Sequence, residues 1–398
     1  VSDEPLHENL SERSGGITRR QFAREAAAIG VAGIAAPAWM DALGREEPLA
    51  GTASDAAQTL EIAEYSQFFV GAEGVSVPRG TLANGMQKYV EYQIPARVQH
   101  PYPIVLVHGA GGQGSDWMST PDGRSGWASY LLQEGYKVYL VDRPGQGRPP
   151  FEPQFHGAFT DAVTYEEMSR RYAVNEGPAG PDNPQAHLHT QWPGNGRIGD
   201  PALDQLLAAQ GPSFANDAAA ESVWRSRGAM LLDEIGPSIL VTHGDSGPFG
   251  WVVADQRPGL VRAVIALEPS GPAFHGRLAW GLTAGPMTYE PQVRAPGELA
   301  KEKLQHPASA YMLQAGPARQ LRNLAPIPIA IVTAEASGAN MADGGTVAFL
   351  KQAGCRVTHL RLADKGIHGN GHFMMMEKNN RDVLRVLTDW LDAEVKRT

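Results

Sequence analysis

Several short segments of this 398-residue chain carry side chains that could do chemistry together. One is the apolar run Ser238-Ile239-Leu240-Val241-Thr242, followed at once by His243-Gly244-Asp245-Ser246-Gly247-Pro248. A strand that turns sharply into a helix exposes one residue at its tip, and small neighbours two positions away let the turn close. Two registers compete. Ser246 fits the tip with Gly244 two residues before it, and Pro248 is tolerable in a first helical turn. Gly244 at the tip would leave it without a side chain. A second segment is Gly369-Asn370-Gly371-His372-Phe373, in which His372 is the candidate base and His368 its alternative. The candidate acids are Glu268 and Glu335, each just past an apolar run. A hydroxyl, an imidazole and a carboxylate in relay make a serine nucleophilic: the histidine takes its proton and the acid orients the histidine. Glu268 is preferred over Glu335, because the turn residues Pro269-Ser270-Gly271-Pro272 after it would aim its carboxylate out of the sheet.

The fourth segment is His108-Gly109-Ala110-Gly111-Gly112, directly after the run Pro103 to Val107. A glycine-rich turn there lets the backbone approach a substrate oxygen. Gly109 gives room, and the N–H of Ala110 would hold a developing oxyanion. A second donor would be the N–H of the residue after the nucleophile, Asp245 or Gly247. The same loop is a poor phosphate cradle, since Gln113-Gly114-Ser115-Asp116 lacks the Lys–Ser/Thr pair. Asp245 as a carboxylate nucleophile fits neither register.

These segments need a scaffold. Residues 60 to 98 read as strands, with Asn84-Gly85 predicting a hairpin between Gly80-Thr81-Leu82 and the run from Gln87 to Tyr92. Short apolar strands follow at Pro103–Val107, Tyr136–Asp142, Ser238–Thr242, Ala263–Leu267, Ile329–Thr333 and Arg356–Leu362. Helical patterns lie between them, such as Thr346 to Gln352, and a final helix spans Asn379 to Val395. That alternation predicts an α/β fold: a mostly parallel sheet covered on both faces, with the chemistry at the carboxyl ends of its strands. The alternation stops over residues 149–228, rich in Pro, Gly, Asn, His and aromatics such as Trp192, Phe214 and Trp224. So long an irregular insertion reads as a cap favouring an apolar or aromatic substrate group, with 273–317 as a second contributor. The core is then 59–148 and 229–398.

Bulk properties narrow the partners. A net charge of −9 without a basic cluster argues against nucleic acid. The single cysteine, Cys355, excludes an intrachain disulfide and Cys-rich metal sites. No cofactor motif is present, so none is expected. Near the start, Thr18-Arg19-Arg20-Gln21-Phe22 precedes the apolar run Ala26 to Ala36, and Ala36-Pro37-Ala38 offers a small-x-small cleavage site. Residues 1–38 thus resemble a twin-arginine export signal, and 39–58 a linker. The expected partner there is the twin-arginine machinery, and the destination the periplasm or the medium.

Taken together, the segments from about residue 60 onward resemble the α/β-hydrolase superfamily, and within it a secreted esterase-like group. The resemblance rests on the His108–Gly112 and Pro121-Asp122-Gly123-Arg124-Ser125-Gly126-Trp127 segments. It rests also on Leu267–Pro272, on Thr333-Ala334-Glu335-Ala336-Ser337 and on Gly366–His372. In that group the elbow usually reads T-H-S-x-x-G-P-F-G-W; here it reads Thr242-His243-Gly244-Asp245-Ser246-Gly247-Pro248-Phe249-Gly250-Trp251. Spacing to Arg257-Pro258 also favours position 244 as the tip, where glycine replaces the usual serine. The commoner acid position falls near Ser337, which is not an acid. The resemblance implies a hydrolase of a carboxylic ester or lactone working through a Ser–His–Glu site. Either the serine has been lost, or Ser246 has taken over. Two alternatives stay open: a non-covalent His/Glu proton-transfer enzyme such as a lyase or isomerase, and a non-catalytic ligand-binding protein on the same frame.

Overall fold

The structure is a computed structural model that describes residues 59–83, 86–174, 183–305 and 310–395. The predicted export signal and linker lie outside the described residues. An antiparallel start comprises β1 (Ile62–Val70), a small hairpin of β2 (Gly74–Val77) and β3 (Gly80–Ala83), and β4 (Lys88–Pro95). Then come β5 (Ile104–Val107), α1 (Trp127–Gln133) and β6 (Val138–Asp142). After the insertion follow α5 (Asp217–Ile235), β7 (Ser238–His243), α6 (Gly247–Gln256) and β8 (Val261–Leu267). The chain ends with β11 (Ile329–Thr333), α7 (Asn340–Gln352), β12 (Val357–Arg361) and α8 (Asn380–Glu394). The main sheet has eight strands in the order β1-β4-β6-β5-β7-β8-β11-β12. Pairings from β6 across to β12 are parallel, and β4 joins antiparallel to β1 and β6. This is the largely parallel sheet expected from the alternation of short apolar runs with helical patterns.

Both faces of the central strands are buried, which is why they read as unbroken apolar runs. Ile104 and Leu106 of β5 face one core with Val241, Ile265 and the helices α1 and α8. Val105 and Val107 face the other, with Leu240, Val264, Trp224 of α5 and Phe249 of α6. Helix α8 shows the complementary pattern. It buries Val383, Leu384, Leu387, Trp390 and Leu391, one stripe at helical spacing, and exposes Arg381, Asp382, Arg385 and Asp389 on the other side. Each such fully buried aliphatic side chain contributes roughly 1.5–3 kcal/mol relative to exposure.

Two expectations need correction. The strands flanking Asn84-Gly85 do not pair with each other: β3 pairs with β2, while β4 pairs with β1 and β6. Asn84 and Gly85 themselves lie outside the described residues. A hairpin signal reports only local backbone tolerance, and β4 is drawn instead into the sheet, where Val90 is fully buried. The boundary at 228 also falls inside α5, which runs unbroken from Asp217 with Asn216 as its N-cap. That helix packs on α6 through Trp224 and Phe249, whose rings stack at 4.9 Å. The irregular insertion therefore ends at Asn216. Between residues 149 and 216 it contains short helices α2 (Pro153–His156), α3 (Tyr165–Met168) and α4 (Pro201–Ala208). The stretch 273–317 includes the hairpin of β9 (Lys301–Gln305) and β10 (Ala310–Gln314), and Arg277 ties it to the insertion through the Ala215 carbonyl at 2.9 Å. Among the described residues no helix is long and apolar enough to cross a membrane.

Candidate active site

Strand β7 lies between β5 and β8, and it ends in the sharpest turn of the site. Gly244 has φ +54°, one 3₁₀ turn covers Gly244–Ser246, and α6 starts at Gly247 with Pro248 in its first turn. The left-handed backbone is strained for any residue with a Cβ, and glycine adopts it freely. A Cβ built at Gly244 would lie 3.2 Å from Nε2 of His372. Position 244 is thus the tip of the turn, and the imidazole faces it.

The imidazole is held from three sides. Its Nδ1 is 2.7 Å from Oε2 of Glu268. A carboxylate accepts there, so Nδ1 carries the proton and the Nε2 lone pair faces position 244. Tyr172, from the insertion, stacks on the ring at 5.0 Å. The Nε2–H of His243 donates to the backbone carbonyl of His372 at 3.1 Å. Burial, and then the neighbouring His372, push the His243 pKa well below the usual histidine range, so His243 is a neutral strut.

Glu268 sits where β8 ends, with φ +42°. A non-glycine residue held there costs of order 1–3 kcal/mol, which the surroundings must offset. They do so with donors: the Ala334 N–H to Oε1 at 2.9 Å and the Ser337 hydroxyl to Oε2 at 2.6 Å. Beneath it Asp343 is fully buried and accepts from the Thr333 hydroxyl at 2.5 Å. Burial first, and then the neighbouring Glu268 carboxylate, drive the Asp343 pKa well above the carboxylate range, so Asp343 is protonated.

Other sequence candidates fall elsewhere. Ser246 does not reach His372. It is fully buried, and its Oγ accepts from the His243 N–H at 2.8 Å while facing the carbonyls of His243 and Val107 at 2.9 and 3.1 Å. Its hydroxyl closes the turn from inside, so the register with Ser246 at the tip is corrected. Glu335 does not reach His372 either: it pairs with Nδ1 of His368 at 3.0 Å and accepts the Gly369 N–H at 3.0 Å. The alternative acid and the alternative base thus hold each other at the rim. Gly109 packs against His243, where an added Cβ would lie 2.9 Å from the imidazole Nδ1. Ala110 is exposed after β5, and among the described residues nothing accepts from its N–H. Asp245 occupies the first turn after the tip, where a helix N–H has no partner of its own. Its exposed carboxylate accepts from the Ser270 hydroxyl at 2.7 Å.

Several supports had no recognisable sequence signal. The loop carrying His372 is clamped by Glu377, which accepts from the Gly371 N–H at 2.9 Å, from Asn370 at 2.8 Å and from His189 of the insertion at 2.7 Å. Tyr172 lies in a short helical turn, Ser169–Ala173, and His189 in irregular chain, and no periodicity in the sequence reveals the path of either. Ser337 did carry a signal: it stands where the commoner pattern puts an acid, and here it donates to the acid of the preceding strand. Among the described residues no group of His, Cys, Asp and Glu could hold a metal ion.

The eight-stranded sheet, the elbow at position 244 and the His–Glu pair facing it define an α/β-hydrolase frame. Over 318 residues the chain is 40% identical to a protein of a fungal species (strain ATCC 74256) called probable secreted lipase phiG, covering 77% of this chain and 86% of that one. The chain belongs to the family of that probable secreted lipase. Among solved structures, a novel bacterial esterase aligns with a TM-score of 0.59 at 22% identity, over 85% of this chain and 98% of that one. At that identity the likeness speaks for the fold. No protein-family model matches the chain.

Proposed function

We propose that this protein is an exported hydrolase frame for a carboxylic ester or lactone, with position 244 as the seat of the nucleophile and His372–Glu268 as its base and orienting acid. One observation carries the reading: the 3.2 Å between an added Cβ at Gly244 and Nε2 of His372. With serine there, Oγ would attack the carbonyl carbon as Nε2 takes its proton. The tetrahedral oxyanion would be met by the N–H groups of Ala110 and Asp245, and the leaving alkoxide would regain the proton from His372. With glycine there, no acyl-enzyme forms and the chain binds ester without covalent turnover. The test is Gly244→Ser assayed on p-nitrophenyl butyrate and labelled with a serine-directed fluorophosphonate. Turnover and label at residue 244 support the reading; a folded variant with neither sinks it.

A second reading is favoured by the intact His–Glu pair beside an empty tip. A water at position 244 would give its proton to Nε2 and attack the same carbonyl, so hydrolysis would proceed slowly without an acyl-enzyme burst. Burst-free turnover by the unchanged chain, lost in His372→Ala, would support it. Export belongs to the same proposal and is supported by the name of the fungal relative and by the Arg19-Arg20 segment. Replacing both arginines by lysine in the full chain should abolish export.

A further inference from the structure

Arg143 follows the carboxyl end of β6 and is only 4% exposed. Burying a charge without an ion partner is expensive, so such a group is normally paired. A guanidinium has five N–H donors. Here Nε donates to Oε1 of Gln146 at 2.6 Å, while neither Nη has an acceptor among the described residues. The nearby carboxylates are engaged elsewhere: Asp217 pairs with Arg277 at 2.8 Å and Asp245 accepts from Ser270. Burial lowers the Arg143 pKa to about 10, against the opposing pull of Asp245 and then Asp217, which leaves it a cation at neutral pH.

Its placement is fixed from both sides. The guanidinium carbon lies 5.1 Å from the ring centre of Phe249, in the first turn of α6 just past the elbow. The amide of Gln146 donates to the Pro212 carbonyl and the Ser213 hydroxyl, each at 3.1 Å. Ser213 Oγ also accepts the Gly111 N–H at 2.7 Å, which ties the arginine to the glycine-rich loop beside Ala110. A planar, preorganised cation with unused donors therefore stands between the elbow and the insertion.

We propose that Arg143 is the recognition group for a carboxylate on the substrate, so that the ester this site takes bears a second, anionic group. The two Nη donors form the fork that a carboxylate meets in a bidentate pair. This rests on the reading of position 244 as the reacting site and makes Arg143 a specificity-determining residue beside it. If the arginine only packs on Phe249, ligand charge has no effect on binding.

The test uses the full chain as it stands, with glycine at 244. Calorimetric titration compares monoethyl succinate, adipate and suberate with their neutral diethyl esters. At least one monoester should bind about tenfold or more tightly than its diester, as a charge-assisted pair supplies. In Arg143→Met the preference should fall to about twofold or less, and Arg143→Lys, which keeps the charge and loses the fork, should lie between. Melting temperatures identify the folded variants, and the lysine variant serves if the methionine one does not fold. A preference that survives both substitutions, or no preference in the parent, including no binding, overturns the proposal. Turnover of p-nitrophenyl butyrate by Gly244→Ser separates the two claims. A monoester preference with an inert Gly244→Ser keeps the anion site and loses the hydrolase reading; the reverse pattern loses only Arg143.

Discussion

Two histidines on one loop, His368 and His372, each set Nδ1 against a glutamate, yet the two pairs differ in everything else. His372 and Glu268 are 2.7 Å apart with side chains 16% and 0% exposed, whereas His368 and Glu335 are 3.0 Å apart with side chains 62% and 24% exposed. The inner glutamate also receives two further donors, and its histidine is capped by Tyr172. The outer glutamate is lowered in pKa chiefly by its bond to His368, at the solvent's edge. Sheet order explains the difference. Strand β8, which ends at Leu267 just before Glu268, is hydrogen-bonded to the elbow strand β7, while β11, which precedes Glu335, lies one strand further out. One strand spacing of about 4.8 Å is enough to move a carboxylate out of the relay. Residue type nominates an acid–base pair; the neighbouring strand and the burial decide which one can serve.

The comparison can be broken most easily in a Gly244→Ser background. There His372→Ala should cost on the order of 10³-fold or more in kcat, and His368→Ala should cost no more than about threefold. Equal losses would mean that the loop as a whole, and not one imidazole, is being measured. Next, Glu268→Gln should lower kcat on the order of 10²–10⁴-fold with KM little changed, because it disturbs the tautomer that aims Nε2. Glu335→Gln should leave both parameters nearly untouched.

Stability separates the two candidate tips. Ser246→Ala should lower unfolding free energy by about 1–3 kcal/mol, since it leaves the buried His243 N–H without its acceptor. The same change should leave fluorophosphonate labelling of Gly244→Ser in place. Gly244→Ser itself should cost about 1–3 kcal/mol, the price of a Cβ at positive φ. Chemical denaturation of each variant checks both values.

The smallest effect concerns pH. Asp343 keeps its proton in the folded state well above the ordinary carboxylate range, because it is buried beside the Glu268 carboxylate. A folded state that holds an extra proton loses stability as pH rises from the unfolded pKa, about 4, through the raised folded value. Asp343→Asn should therefore flatten part of the decline in melting temperature over that window. An unchanged profile would argue that the Glu268 environment has been misjudged.

Much of this arrangement is legible in the sequence. The run Ile329–Thr333 appears as β11 without a shift, and the runs before the elbow and before Glu268 each reappear as strands, because a strand buried on both faces must be apolar throughout. Spacing from Gly244 to Arg257-Pro258 already favoured 244 as the tip. What failed to show was long-range pairing. Asn84-Gly85 looked like a hairpin because turn chemistry is local, whereas the partners of β3 and β4 are set by the sheet. The insertion's edge was misplaced because α5 has little amphipathic contrast: it buries Glu221 as well as Trp224 and Leu231. Arg143 carries no motif, and only its two Nη groups, without acceptors among the described residues, mark it.

The most direct test of the central claim is where a fluorophosphonate attaches. Gly244→Ser should take up one equivalent, peptide mapping should find it on residue 244, and His372→Ala in that background should slow the labelling strongly. The chain as it stands should remain unlabelled. Label on Ser246 in either protein, or a folded Gly244→Ser that stays unlabelled, would contradict the account.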